Sequence, residues 1–449
     1  PSQQRNRVSM KYVSTRGGGE PVTLSEAVER GLAPDGGLFV PERFPEIAPE
    51  ALDGAETLAD AAARLLVPFF AGDPLQDALD DICREAFTFP VTLKELRDRT
   101  SVLELFHGPT AAFKDVGARF LAAAMSRIGG TDPRPLTILV ATSGDTGGAV
   151  AAAFHGRPGV EVAVLYPAGM VSPRQEKQLT TWGGNVRAFA VRGAFDDCQR
   201  LVKAAMADDE LRAARRLSSA NSISIGRLLP QMAYYAWASR EYVRRHGATP
   251  GFVVPTGNLG NALAALWTRR IGMPVREVVL ATNANPAVTA FAGGAPWAAH
   301  PTVSTLATAM DVGSPSNMER VLHLFGGEDA CRPALRAHAV TDDEIRRVIQ
   351  AGPADWGEVW DPHTAVAVAV RERLEDADWI LVSTAHPAKF EGIVEPLIGR
   401  EVPVPPELRS LLDRPSRMMQ IEPELDAFRA ALGSVNEHGD GSAGTEESE

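Results

Sequence analysis

Five short apolar runs constrain the fold of this chain more than anything else in it. They are "LTILVA" (136–141), "EVAVLYP" (161–167), "FVVP" (252–255), "EVVLATN" (277–283) and "WILVST" (379–384). All five lack the strict alternation of a strand with one wet face. A continuous, β-branched-rich run suits a strand covered on both faces of a parallel sheet. Helical patterns lie between the runs, over 224–245 and 341–350 for example. The second of these opens with a capping box, Thr341 to Glu344. Strand and helix in alternation predict an α/β architecture. The chain has 449 residues, which predicts two or three domains. Residues 1–100 read as a separate accessory unit. They hold a capping box from Thr23 to Glu26, a turn over "APDGG" (33–37), and amphipathic helices over 58–70 and 76–87. No catalytic constellation appears there. The tail, 436–449, is small, polar and acidic, and is expected to be disordered.

Bulk properties exclude several classes. A net charge of −12 argues against nucleic acid as a partner. No apolar run is long enough for a membrane span. The first residues lack an apolar signal core, so no secretory leader is expected. Cys83, Cys198 and Cys331 are far apart and make neither a metal spacing nor a disulfide framework. They are expected to be small buried residues in a cytoplasmic protein without a metal.

Two loops share one design. After "LTILVA" comes "TSGDTGG" (142–148) and then a helical pattern. After "FVVP" comes "TGNLGN" (256–261) and another. The glycines permit tight turning, and the helix N-terminus that follows offers free N–H groups and a positive dipole end. That combination binds phosphate or carboxylate. Neither loop is GxxxxGK[ST] or GxGxxG, so a P-loop ATPase and a Rossmann dehydrogenase are disfavoured.

Lys114 is the third feature. It lies in "HGPTAAFKDVGARF" (107–120), with Thr110 read as the helix N-cap and Phe113, Gly117, Phe120, Leu121 and Ala124 as the apolar face. Near the positive end of a buried helix an ammonium is disfavoured, and the amine becomes nucleophilic closer to neutral pH. Such an amine beside an anion-binding loop is what an aldehyde cofactor with one phosphate, pyridoxal phosphate, requires. The local pattern by itself equally allows a surface cation paired with Asp115.

Five motifs in this order, "ELFHGPTAAFKD" (104–115), "ATSGDTGGAVA" (141–151), "VPTGNLGN" (254–261), "TAMDVGSPSN" (308–317) and "STAHPAKF" (383–390), resemble the threonine synthase family. "YVSTRGG" (12–18) and "APDGGLFVPERFP" (33–45) extend the likeness to nearly the whole chain except the acidic tail. The resemblance implies a pyridoxal-phosphate enzyme of fold type II, tryptophan synthase β-like. That fold has two open twisted, mostly parallel sheet domains plus the N-terminal region. The large domain is expected over 101–135 and 218–430, and the small one over 136–217.

The resemblance also implies roles. Lys114 looks like the Schiff-base lysine and proton shuttle. Thr256, Gly257, Asn258, Leu259, Gly260 and Asn261 look like the seat of the cofactor phosphate. Asp145 is expected near the cofactor's ring hydroxyl, and Thr384 facing its pyridine nitrogen. Thr142, Ser143, Gly144 and Thr146 look like the seat of the substrate carboxylate. Asn221, Ser222 and Arg227 in "NSISIGR" (221–227) resemble a substrate-phosphate motif, with Lys389 as a further candidate. His107 and His386 are weaker candidates for acid–base work. Met170 and Leu259 depart from the family pattern, which often has a basic residue and Phe there. The implied reaction converts O-phospho-L-homoserine and water to L-threonine and phosphate. A serine or threonine dehydratase, or an inactive binder of phosphorylated ligands, are the alternatives. A monomer or small homo-oligomer is expected, with the small domain closing over substrate.

Overall fold

A computed structural model describes residues 9–128 and 133–433. In chain order its strands are β1 (Tyr12–Ser14), β2 (Phe39–Pro41), β3 (Thr92–Glu95), β4 (Thr100–Glu104), β5 (Leu136–Ala141), β6 (Val160–Pro167), β7 (Val186–Val191), β8 (Arg216–Ser219), β9 (Gly251–Pro255), β10 (Val278–Thr282), β11 (Arg336–Ala339), β12 (Trp379–Ser383) and β13 (Met419–Ile421). β1 and β2 pair antiparallel by themselves. A large sheet runs β11-β10-β9-β12-β4-β3, and a small one β13-β7-β6-β5-β8. All pairs in both sheets are parallel except β3 with β4.

The five apolar runs are β5, β6, β9, β10 and β12, and four of these five strands are buried along their whole length. Ile380, Leu381 and Val382 of β12 are fully buried. Each such side chain removed from water contributes roughly 1.5–3 kcal/mol. Helices Asp342–Asp355 and Pro362–Arg371 cover one face of the large sheet. Helices Phe195–Ala207 and Leu425–Gly433 cover the outer face of the small one. Between the two sheets lies a single core that includes helices Lys114–Met125, Gln231–His246 and Gly260–Arg270.

Several boundaries differ from the sequence reading. The accessory region does not run to 100. β3 and β4 belong to the large sheet, and β3 escapes notice because it is a polar, half-exposed edge strand. Tyr12, Leu24, Leu65 and Phe69 of this region pack into the central core. The large domain does not extend to 430: β13 pairs with β7, and Phe428 and Leu432 pack on the small sheet. β13 is three residues long with Met419 and Gln420 exposed, so it carries no strand signal. The small sheet's strands otherwise span 136–219, close to the expected 136–217. The tail at 436–449 lies outside the described residues. Both capping boxes form. The helix expected over 224–245 is broken at Leu229 and Pro230 into Ile225–Leu228 and Gln231–His246, because proline has no N–H to continue the ladder.

The topology places the site. In the large sheet β9 leads outward to β10, while β12 lies on its other side. In the small sheet β5 leads outward to β6, with β8 on its other side. These are the two points where strand order reverses, and ligands bind at the carboxyl ends of such strands. Thr256 and Thr384 follow β9 and β12. Thr142 and Asn221 follow β5 and β8. Both reversal points open on one cavity.

Candidate active site

The cavity has a volume of about 1700 Å³. Lys114, Thr142, Ser143, Asp145, Thr146, Asn221, Ser222, Arg227, Thr256 to Asn261 and Thr384 line it. Gly144 and Lys389, also singled out in the sequence, do not. His107 and His386 lie off it too. His386 accepts from the Ala388 N–H, and burial lowers its pKa to about 4.

Lys114 is the first residue of its helix, and Thr110 is not the N-cap. Thr110 instead donates its hydroxyl to Asp115 at 2.6 Å and its N–H to the same carboxylate at 2.9 Å. Asp115 is therefore buried and engaged elsewhere, which removes the reading of Lys114 as its surface partner. Burial raises Asp115 to about 6, against the pull of Thr110. The chain before Lys114 runs beside the end of β12. Phe113 N–H donates to the Thr384 carbonyl at 2.8 Å, and His386 N–H to the Ala111 carbonyl at 3.0 Å. Lys114 and Thr384 are thereby held next to each other by backbone, not by their own side chains. Burial lowers the Lys114 amine from 10.5 to about 8. Asp145 opposes that shift, while Arg227 and Lys389 add to it.

The loop after β9 carries no charge. Leu259 is left-handed at φ 63°, and helix Gly260–Arg270 starts directly after it. A Cβ at Gly257 would lie 2.6 Å from Met310 Cα, so the 308–311 turn presses the loop against the cavity. Asn258 donates to Ser222 Oγ at 2.5 Å and accepts from the Ser316 N–H. Asn261 Oδ1 accepts from Tyr234 and Tyr235 at 2.6 and 2.8 Å, while its buried Nδ2 has no acceptor.

Arg227 is only 3% exposed. Its Nη1 donates to the Ala220 carbonyl at 2.8 Å, and its buried Nε has no acceptor. Among the described residues no carboxylate pairs with it, and burial lowers it to about 10. A cation and an amide with unanswered donors in one wall are costly to bury unless an anion completes them. These residues fit an anionic group such as a cofactor phosphate.

The loop after β5 is built differently. Thr142 Oγ1 accepts from the N–H groups of Gly144 and Gly147, both at 2.9 Å. Asp145 opens helix Asp145–Phe154. Burial pushes its carboxyl up, but Lys389, Lys114 and His363 pull harder and hold it well below the usual carboxylate range.

His363 was not picked out by sequence reasoning. It lines the cavity, 2.9 Å from Asp361 through Nδ1, and its Nε2 accepts the Ala309 N–H at 3.1 Å. Asp361 also accepts from the hydroxyl of Thr364. The histidine thus ties the 308–311 turn to the large sheet. "DPH" at 361–363 advertised only a helix cap, which Asp361 does form.

The sequence model of the family described as pyridoxal-phosphate dependent enzyme matches residues 94–384. Those described as threonine synthase N terminus and threonine synthase, C-terminal, match 11–87 and 364–432. A threonine synthase of Serratia marcescens is 40% identical over 403 residues, 89% of this chain and 93% of that protein. The crystal structure of threonine synthase from Escherichia coli superposes with a TM-score of 0.87 at 38% identity, covering 94% of this chain and 99% of the other. A pyridoxal-phosphate-bound threonine synthase from Brucella melitensis gives 0.87 at 35% identity, with the same coverage. Fold and site therefore define a pyridoxal-phosphate-dependent lyase of fold type II. Within that class, the chain belongs to the threonine synthase family.

Proposed function

We propose that this chain converts O-phospho-L-homoserine and water to L-threonine and inorganic phosphate. One observation carries the reading. A half-buried lysine at a helix start shares a cavity with a neutral glycine-rich loop and with an arginine that no carboxylate among the described residues neutralises. The site thus provides for two phosphates, one on the cofactor and one on the substrate.

Bound pyridoxal phosphate supplies the aldehyde that Lys114 bonds and the electron sink for charge developing at the substrate's α-carbon. The protein does the rest. Lys114, titrating near 8, is free to take a proton at the substrate's Cα and return one later. The 256–261 loop and the helix start behind it hold the cofactor phosphate with N–H groups and the Asn261 amide. Thr384, which lines the cavity, would offer a hydroxyl to the cofactor's ring nitrogen without forcing its protonation. Thr142, Ser143 and Thr146, with Gly144 shaping the turn, receive the substrate carboxylate. Arg227, Asn221 and Ser222 receive the γ-phosphate, where a guanidinium fork stabilises the charge on the departing group. Closure of the small-sheet lobe would exclude water until the addition step. Three buried free cysteines suit a cytoplasmic enzyme, acting as a monomer or small homo-oligomer.

Phosphate release from O-phospho-L-homoserine tests the reading. The cofactor-loaded wild type should release phosphate with threonine. Lys114→Ala should lose at least on the order of 10²- to 10⁴-fold, the usual scale for removing a positioned acid–base group. Ketoacid release from serine or threonine without phosphate release would replace the reading with a dehydratase.

A further inference from the structure

Lys389 lies in the one-turn helix Pro387–Phe390 after β12, with none of its surface exposed. Its Nζ sits 2.7 Å from Asp145 Oδ1 and donates to the Thr110 carbonyl at 2.8 Å. Asp145 belongs to the opposite lobe, at the start of the helix that follows β5, and it does face the cavity. The same Oδ1 accepts from Gln175 Nε2 at 3.0 Å. Around the pair the lobes are stitched together. Ser172 donates to the Lys389 carbonyl at 3.1 Å, and Gln178 to the Thr110 carbonyl at 2.9 Å.

A fully buried ammonium is expensive unless it is paired and hydrogen-bonded. Here the partner is Asp145, a carboxylate that lines the same cavity as Lys114. The charged and titratable groups acting on Asp145 are Lys389, Lys114 and His363, and those acting on Lys114 are Asp145, Arg227 and Lys389. Were Asp145 answered by Lys114 alone, the two would form an ion pair, and the amine would stay protonated and inert.

We propose that Lys389 is a positioning residue: a buried counter-ion, supplied by one lobe, that holds the Asp145 carboxylate of the other and so prevents Asp145 from capturing Lys114 as an ion pair. It rests on the reading of Lys114 as the reactive amine, and it moves Lys389 away from direct contact with the substrate phosphate.

Competitive acylation of the cofactor-free protein across pH, read by mass spectrometry on the Lys114 peptide, reports the titration of that amine without cofactor or substrate. Lys389→Met should raise the Lys114 midpoint by about one unit, within the range that a nearby opposite charge produces. Lys389→Arg should restore it. The double change Lys389→Met with Asp145→Asn should show no rise, and it removes both buried charges together, so it serves if Lys389→Met does not fold. An unchanged midpoint in folded Lys389→Met, or a raised one in the double variant, overturns the inference. A wild type that releases no phosphate would instead overturn the proposed function and leave this titration readable.

Discussion

The loops after β5 and β9 share strand, glycine-rich turn and helix start, yet they are chemically opposite. Loop 256–261 has no ionised side chain. Its amides are held by Ser222 and two buried tyrosines, and one donor is left unanswered. Loop 142–146 contains an ionised aspartate, and its polar groups are already answered by Thr142, Gln175 and Lys389. A loop of spare neutral donors can accept a dianion outright. A loop with its own carboxylate is neutralised from behind by Lys389. On the proposed function, the same backbone design would hold the cofactor phosphate in one place and an exchanging carboxylate in the other.

The sharpest way to break that contrast is to crowd each loop in turn. Gly257→Ala drives a Cβ to 2.6 Å from a backbone atom of Met310. The loop must move, and cofactor affinity should fall at least about tenfold, some 1.4 kcal/mol, in a fluorescence titration of the cofactor-free protein. Gly144→Ala combines φ 136° with a Cβ 2.6 Å from the Gln175 amide. It should raise KM for the substrate and leave cofactor affinity within about twofold. If both variants moved the same parameter, the division of labour would be wrong.

A comparable effect, on the substrate instead of the cofactor, is expected at Arg227. Arg227→Met removes a buried cation that has no carboxylate partner among the described residues. kcat/KM should fall on the order of 10- to 100-fold, the worth of hydrogen bonds to a charged group. The melting temperature of the cofactor-free protein should rise, as happens when a binding group is traded for packing. A fall in both would mean that Arg227 is structural.

The smallest effect, and the one with a pH signature, is on stability at Lys114. The folded amine titrates near 8 and the unfolded one near 10.5. Below 8 it is charged in both states, and its burial penalty is fully present. Between 8 and 10.5 the unfolded chain binds more protons, so stability rises with pH. Lys114→Met should therefore raise the melting temperature most at pH 7 and progressively less towards pH 10. A gain independent of pH would show a solvated lysine.

Much of this was legible in the residues. The apolar runs mark β5, β9, β10 and β12 to within a residue or two, because strands covered on both faces must be apolar throughout. The two glycine loops are visible because close backbone approach demands glycine. What stayed hidden is instructive. β8, β11 and β13 are short and in part polar or exposed, and they exist because a neighbouring strand offers its edge. Thr110 looked like a cap because caps are read from local spacing, while its hydroxyl was bound to Asp115. His363 looked like part of a helix start, since nothing local says that this start faces a cavity. Lys389 sat in the right motif with the wrong partner, because its carboxylate comes from the other lobe.

The sequence by itself determined which segments are buried strands, where the backbone must turn tightly, and which lysine stands at a helix start in apolar company. These follow from periodicity, side-chain volume and backbone freedom, all short-range along the chain. Only the tertiary structure decided which charges answer one another: Asp145 with Lys389, Arg227 with no carboxylate among the described residues, and Lys114 left among them. Electrostatic energy depends on distance through space and on exclusion of water, and neither quantity exists until the two sheets have closed on their common core.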